Sequence, residues 1–181
     1  MSKQVGFYID MANCYGCQTC QVACKSEQGT TPAVSWRRVR HFDTDYPATH
    51  GTLSMSCNHC DNPECLKNCP TGAYVKLANG IVYQNHDKCI GCRMCVMACP
   101  YGAPQYDPEE GKVSKCSYCR ERIEAGLQPQ CVEACPGGNI IAGDLQELRA
   151  KYPGAVELTG MPKAKLTRPS IIINPAKAFK K

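Results

Sequence analysis

The sequence predicts an α+β protein of short strands, short helices and long loops, and three observations carry that reading. Sixteen cysteines among 181 residues fall into four quartets, each opening with Cys-x2-Cys and closing with x3-Cys. Between the second and third quartets, Lys76-Leu77-Ala78-Asn79-Gly80-Ile81-Val82-Tyr83 sets Asn-Gly between two apolar runs, the strongest short signal for a β-hairpin. Ahead of the first quartet, Val5 to Asp10 is a short, apolar, partly β-branched run that reads as a strand.

That strand leads into the first quartet, Cys14, Cys17, Cys20 and Cys24, with Gly16 inside the loop where backbone must pass close to whatever the thiols hold. Lys25 follows the last cysteine, and Cys20 to Glu27 reads as a short helix stopped by Gly29 and Pro32. Residues 29–52 form an insertion. Within it, Val34 to Phe42 reads as a strand whose basic residues Arg37, Arg38 and Arg40 face either a partner and its clusters or solvent. Trp36, the only tryptophan, is read as a packing residue.

The second quartet, Cys57, Cys60, Cys65 and Cys69, has a wider middle gap holding the turn Asp61-Asn62-Pro63 and closes on Pro70. The third is Cys89, Cys92, Cys95 and Cys99, closing on Pro100; turns follow at Tyr101 to Pro104 and Asp107 to Gly111. The fourth, Cys116, Cys119, Cys131 and Cys135, spans an x11 gap in which Ser117 to Ala125 predicts a helix stopped by Gly126 and Pro129. Asp144 with Glu147 resembles a capping box that opens a helix to Tyr152. Ile171 to Ile173, between Pro169 and Pro175, suggests an extended arm that docks on another surface, the alternative being a mobile end.

Cys89 to Pro100 is the Cys-x2-Cys-x2-Cys-x3-Cys-Pro run of bacterial-type ferredoxins, in which three thiolates hold one cubane and the fourth ligates the other cluster of a pair. Disulfides fit poorly, because bridges within Cys-x2-Cys are strained and a disulfide scaffold has no need of this regularity. Neither a signal peptide nor an apolar run of membrane length is visible. Structural zinc sites pair two Cys-x2-Cys knuckles, whereas every quartet here closes with x3-Cys, which favours iron–sulfur. A colourless zinc-binding interaction protein is the remote alternative. His59 is left without a metal vacancy, as a hydrogen-bond donor near a coordinating sulfur or as a packing residue.

The formal charge of +5 invites a nucleic-acid reading that the cysteines remove. Sixteen thiolates against four oxidised cubane cores of about +2 each leave the loaded protein near −3. No dinucleotide fingerprint, phosphate loop or Ser/His/Asp order is present, so no residue is assigned catalysis and no small-molecule substrate is expected. A cluster with four protein ligands has no open position and exchanges an electron with little geometric change. Four of them make an electron conduit.

With these residues in view, the sequence resembles the four-cluster electron-transfer subunit of the dimethyl sulfoxide reductase and polysulfide reductase family of molybdopterin oxidoreductases. Beyond the cysteines, the resemblance rests on Gly6-Phe7-Tyr8-Ile9-Asp10, Ser56-Cys57-Asn58-His59-Cys60, Met97 to Tyr106 and the tail from Thr167 to Pro175. It implies two nested ferredoxin-like units of the bacterial 2[4Fe-4S] kind. Residues 1–52 and 105–143 would form the outer unit, with quartets one and four and the insertion. Residues 53–104 would form the inner unit with quartets two and three, and 144–181 a C-terminal helix and docking tail.

The same resemblance implies four [4Fe-4S] clusters: one on Cys14, Cys17, Cys20 and Cys135; one on Cys24, Cys116, Cys119 and Cys131; one on Cys57, Cys60, Cys65 and Cys99; and one on Cys69, Cys89, Cys92 and Cys95. Cys92 is intact where some relatives carry tryptophan and a three-iron cluster. Gly137-Gly138-Asn139 departs from the family pattern in a turn. The implied partners are a molybdopterin catalytic subunit and an integral-membrane, quinone-reactive anchor in anaerobic respiration. The implied location is peripheral, on the outer, periplasmic-side face by co-export with a signal-bearing partner, and cytoplasmic otherwise. A soluble polyferredoxin, or the small subunit of an anchor-free two-subunit enzyme, is the alternative.

Overall fold

Val5–Asp10 forms β1, the middle strand of a three-stranded sheet. The computed structural model describes residues 4–45 and 48–179. Met1 to Lys3, where the reading of the start falls in part, Tyr46 and Pro47 in the insertion, and Lys180 and Lys181 at the end of the tail lie outside them. On one side of β1 runs β8 (Ile140–Asp144), antiparallel, with Phe7 opposite Ala142 and Ile9 opposite Ile140. On the other runs β9 (Ile171–Asn174), parallel, with Phe7 opposite Ile171 and Ile9 opposite Ile173.

Side chains alternate across a strand, so β1 serves two cores. Phe7 and Ile9 join Ile140, Ile171, Ile173 and Tyr118 in the main cluster. Tyr8 points to the opposite face, where Ile172 meets Leu145 and Leu148 of α6 (Leu145–Lys151). The Asp144 carboxylate caps α6, accepting the backbone N–H groups of Gln146 and Glu147 at 2.9 and 3.2 Å.

The tail therefore differs from the sequence expectation. It docks, but on the protein's own first strand. Three consecutive isoleucines suit an edge strand buried on both faces, and β1 offers them a free edge.

The insertion forms the long hairpin of β2 (Arg38–Asp45) and β3 (Ala48–Met55). The expected strand over Val34 to Phe42 starts late, at Arg38, because Val34 to Arg37 bends inward; Val34 and Arg37 are both buried. Ahead of it, α1 (Thr19–Gln28) ends on Gly29 in the left-handed region. Lys25 ties the start of the insertion to this helix, donating its ammonium to the carbonyls of Thr31 and Val34.

The Asn-Gly hairpin is present as β4 (Tyr74–Lys76) and β5 (Val82–Gln84). Its loop is Ala78-Asn79-Gly80: Leu77 N–H reaches the Ile81 carbonyl at 2.9 Å and Gly80 N–H the Leu77 carbonyl at 2.8 Å. This is the three-residue turn with glycine left-handed, not the two-residue form. A further hairpin, β6 (Gln105–Asp107) and β7 (Lys112–Ser114), closes around the turn expected over Asp107 to Gly111. Short helices α2 (Glu64–Lys67), α3 (Met94–Ala98), α4 (Arg120–Glu124) and α5 (Gln130–Glu133) carry cysteines or lie beside them. Helix α4 begins later than Ser117 because Tyr118 and Cys119 adopt φ of 61° and 49°. This is the expected α+β fold of short elements and long loops, consistent with two ferredoxin-like units.

Ile173 is fully buried in the main core. Ile173→Ala is expected to cost about 2–5 kcal/mol, read as a lower midpoint with unchanged slope in anaerobic denaturant unfolding. An unmoved midpoint would mean that the tail does not pack on β1.

Candidate metal centres

One backbone device recurs in all four quartets. The residue just before the second cysteine has positive φ: Gly16 at 76°, His59 at 41°, Gly91 at 71° and Tyr118 at 61°. This conformation turns the Cys-x-x-Cys loop so that its own amide faces the first sulfur. His59 N–H donates to Cys57 Sγ and Tyr118 N–H to Cys116 Sγ, both at 3.4 Å. After the closing cysteines a second device repeats, with Ala73 N–H on Cys69 Sγ and Asn139 N–H on Cys135 Sγ, both at 3.3 Å. Such donors favour anionic sulfur.

A non-glycine residue in the left-handed region costs about 1–2 kcal/mol, and His59 and Tyr118 are held there by packing. Their rings meet edge to face at 5.3 Å, and Phe7 lies 4.6 Å from Tyr118. Tyr118 donates its hydroxyl to the Gly6 carbonyl at 2.7 Å and accepts Gly143 N–H at 3.2 Å, locking the loop of quartet four to the sheet. The His59 imidazole is a packing residue, not a donor to sulfur: Nδ1 accepts Val82 N–H at 3.1 Å. Burial, reinforced by the nearby Lys115 charge, holds its pKa well below the usual histidine range, so it stays neutral.

The fold gathers the cysteines in sets that cross between quartets. A first cavity is lined by Cys14, Cys17, Cys20 and Cys135. A second is lined by Cys24, Cys116, Cys119 and Cys131. A third is lined by Cys57, Cys60, Cys65 and Cys99. Around Cys95 stand Cys89, Cys69 and Cys92, close enough to raise its pKa by their charge in addition to burial. Among the described residues no group of three or more His, Cys, Asp or Glu converges tightly enough for a single metal ion.

Burial grades these sets. All four cysteines of the second are buried. Cys57 and Cys65 of the third are buried, with Cys60 and Cys99 half-buried. The first and the Cys95 set each have one exposed member, Cys17 and Cys92. Neighbouring sets share packing. Cys57 and Cys116 lie in one buried cluster with Ala103, and Cys65 and Cys95 in another with Tyr74. Arg37 hydrogen-bonds Ser54 of the first cavity and Ser56 of the second. The four sets thus follow one another in a row, exposed at its two ends. Apolar side chains sit at both ends: Tyr15 and Val22 near Cys17, and Ile90, Met94 and Met97 near Cys92, all exposed.

Burial pushes the thiols up, to about 12 for Cys60 and Cys116, and higher still for Cys24 and Cys65. Cys17 moves the other way, lowered chiefly by the Thr19 hydroxyl at 3.3 Å. Buried thiols become thiolates when a metal displaces their protons. Soft sulfur donors in this number select iron–sulfur clusters, zinc or monovalent copper, and the spacing separates these in favour of the first.

Three residues were only partly visible in the sequence. Arg37 is buried among the cysteines and does not lie on an exposed basic face. Lys115 is buried beside Cys116 and carries no motif of its own. Trp36 packs, half-buried, against the cluster of Cys57 and Cys116, and its indole N–H donates to the Ser114 hydroxyl at 2.9 Å.

Comparison with known proteins identifies the family. A family profile described as a 4Fe-4S dicluster domain matches residues 49–145. The probable anaerobic dimethyl sulfoxide reductase chain YnfG of Escherichia coli is 44% identical over 97% of this chain and 90% of its own length. A second anaerobic dimethyl sulfoxide reductase chain of the same species is 43% identical over the same shares. The arsenate respiratory reductase iron–sulfur subunit ArrB of a Shewanella species is 31% identical over 86% of this chain and 88% of its own length.

A Cβ on Gly91 would run into the carbonyl oxygen of Gly111, whereas Gly72, also left-handed, has open space. Gly72→Ala is expected to cost about 1–2 kcal/mol from backbone strain alone and to leave iron content unchanged. Gly91→Ala should purify with less iron, because the loop carrying Cys89 and Cys92 must shift. Equal iron in the two variants would remove the close approach at Gly91.

Proposed function

This protein belongs to the 4Fe-4S dicluster family of anaerobic dimethyl sulfoxide reductase iron–sulfur subunits, and from that premise we propose a relay of four [4Fe-4S] clusters. The ligands would be the four sets gathered around the cavities: Cys14, Cys17, Cys20 and Cys135; Cys24, Cys116, Cys119 and Cys131; Cys57, Cys60, Cys65 and Cys99; and Cys69, Cys89, Cys92 and Cys95. Bound there, each cluster would supply one-electron exchange with little change of shape. The protein is a non-catalytic electron-transfer subunit.

The grading of burial along the row carries this reading. Neither interior set has an exposed cysteine, and one exposed cysteine stands at each end amid exposed apolar side chains. A storage protein or a catalytic one has no need of two such ends; a relay between two partners does. Within this reading, the end at Cys17 would meet a molybdopterin catalytic subunit and the end at Cys92 a membrane anchor that exchanges electrons with quinone. The protein's own residues position the sulfurs, bury all four cysteines of the second set and donate N–H groups to sulfur. Among the described residues no helix is long and apolar enough to cross a membrane, so attachment is assigned to the anchor. The outer face, reached by export beside a signal-bearing partner, completes the proposal. Dimethyl sulfoxide or a related small oxidant would be reduced in the catalytic subunit, not here.

Anaerobic purification with its partners should give about sixteen iron and sixteen sulfide per chain, with a brown colour bleached by dithionite. Zinc without sulfide would overturn the proposal. In that complex, Cys92→Ser is expected to lower quinol-driven turnover by an order of magnitude or more. Turnover of the catalytic subunit with an artificial low-potential donor should persist. Normal quinol-driven turnover with every cluster intact would remove Cys92 from the path.

A further inference from the structure

A buried cation stands at each of the first two junctions in the row of cysteine cavities. The Arg37 side chain is 1% exposed and lines the second cavity. Its guanidinium donates to the Ser54 hydroxyl at 3.0 Å and carbonyl at 3.3 Å, and to the Ser56 hydroxyl at 3.0 Å. Ser54 lines the first cavity with its hydroxyl 3.3 Å from Cys20 Sγ, and Ser56 lines the second. The Phe7 ring, 5.0 Å away, covers the cation, and Nε has no partner among the described residues.

Lys115 repeats the arrangement one junction further along. It is 3% exposed, lines the third cavity, and donates to the carbonyls of Val82 and of Cys116, the latter at 2.9 Å and belonging to the second set. Among the described residues neither cation is paired with a carboxylate.

A buried charge without a counter-charge is too costly for a small fold to keep. The anionic groups that face these two cations are the cysteine sulfurs. Burial works against the charge on Arg37, but Cys131, Cys20, Cys116 and Cys24, once their sulfurs are anionic, outweigh it and raise the guanidinium pKa. The serine hydroxyls satisfy hydrogen-bonding geometry but supply no charge.

We propose that Arg37 and Lys115 are internal counter-charges that set reduction potentials along the relay. Arg37 acts on the clusters of the first and second cavities, Lys115 on those of the second and third. Reduction adds one electron, delivered by the partner at either end, to a cluster that is already anionic. A fixed positive charge beside it in a poorly polarisable interior favours the reduced form. The second cavity, whose cysteines are all buried, is flanked by both cations. The inference rests on the four-cluster reading and deepens it.

The test is an anaerobic redox titration of the purified complex, followed by electron paramagnetic resonance, with iron and sulfide counted on each sample. Arg37→Gln, which keeps hydrogen bonding but not charge, should lower two of the four potentials. The expected fall is tenfold or more in the reduction equilibrium constant, which is 59 mV for one electron. Lys115→Met should also lower two. One potential should fall in both variants, two in one variant each, and the fourth in neither. Arg37→Lys, which keeps the charge but loses part of the hydrogen bonding, should restore most of the loss.

Full iron with unmoved potentials, or an equal shift of all four, would overturn the proposal. If Arg37→Gln loses iron while Arg37→Lys stays fully loaded, the requirement lies with the charge and the proposal stands; loss in both overturns it. Wild-type protein without about sixteen iron and sixteen sulfide would instead sink the cluster reading, a result visible before any variant is made.

Discussion

Gathering anionic sulfur inside a small protein is the constraint on which the rest of this structure depends. Cysteines occupy places that leucine or valine would hold elsewhere: three of the four buried clusters contain them, and the one around Cys57 is built largely from them. Such a core cannot close by hydrophobic burial alone, because thiols pushed up by burial must surrender protons to a metal before they bind it. The fold answers with amides aimed at sulfur, hydroxyls beside it and two buried cations. Its one wholly conventional core, around β1, β8 and β9, ties the first and fourth quartets and the tail together.

The left-handed residue in every Cys-x-x-Cys loop shows how that constraint meets packing. Where the loop reaches the surface, at Gly16 and Gly91, glycine provides the conformation without strain. Where the loop lies inside, a glycine would leave a hole, and the sequence places His59 and Tyr118 there instead. Their backbone strain is offset by ring packing and by the two hydrogen bonds of the Tyr118 hydroxyl. The same dihedral is thus reached by opposite residue choices at the ends and at the middle of the row.

Much of this was legible in the sequence alone. The quartets, the first strand, the first helix with its glycine stop, and the Asn-Gly hairpin all announce themselves through spacing or turn chemistry. What stayed hidden has physical causes. The β6–β7 strands are three residues each, too short for a period of two to register. The tail's isoleucines fit any apolar surface, and only the free edge of β1 selects one. Arg37 stands in an arginine-rich stretch that reads as a polar face; its burial is set by the bend from Val34, and its partners are serines far along the sequence. Positive φ at His59 and Tyr118 carries no signal in residue type, though their shared position with Gly16 and Gly91 in the quartets could have revealed it.

The burial gradient and the buried charges are two sides of one problem. A cluster deep in a protein is harder to reduce than one at the surface, because water no longer stabilises the added electron. Four identical ligand sets graded from exposed to buried would therefore leave the inner positions as a barrier, and a relay with a raised middle conducts poorly. The second set, with every cysteine buried, is the one flanked by both Arg37 and Lys115. The third has Lys115 alone and two cysteines that are only half-buried. At the last junction, towards Cys95 and the surface, stands Tyr74, a neutral phenol whose pKa is raised, first by burial and next by its hydrogen bond with Cys95. Positive charge is thus concentrated where solvent is most fully excluded, which levels the path without exposing its interior to water.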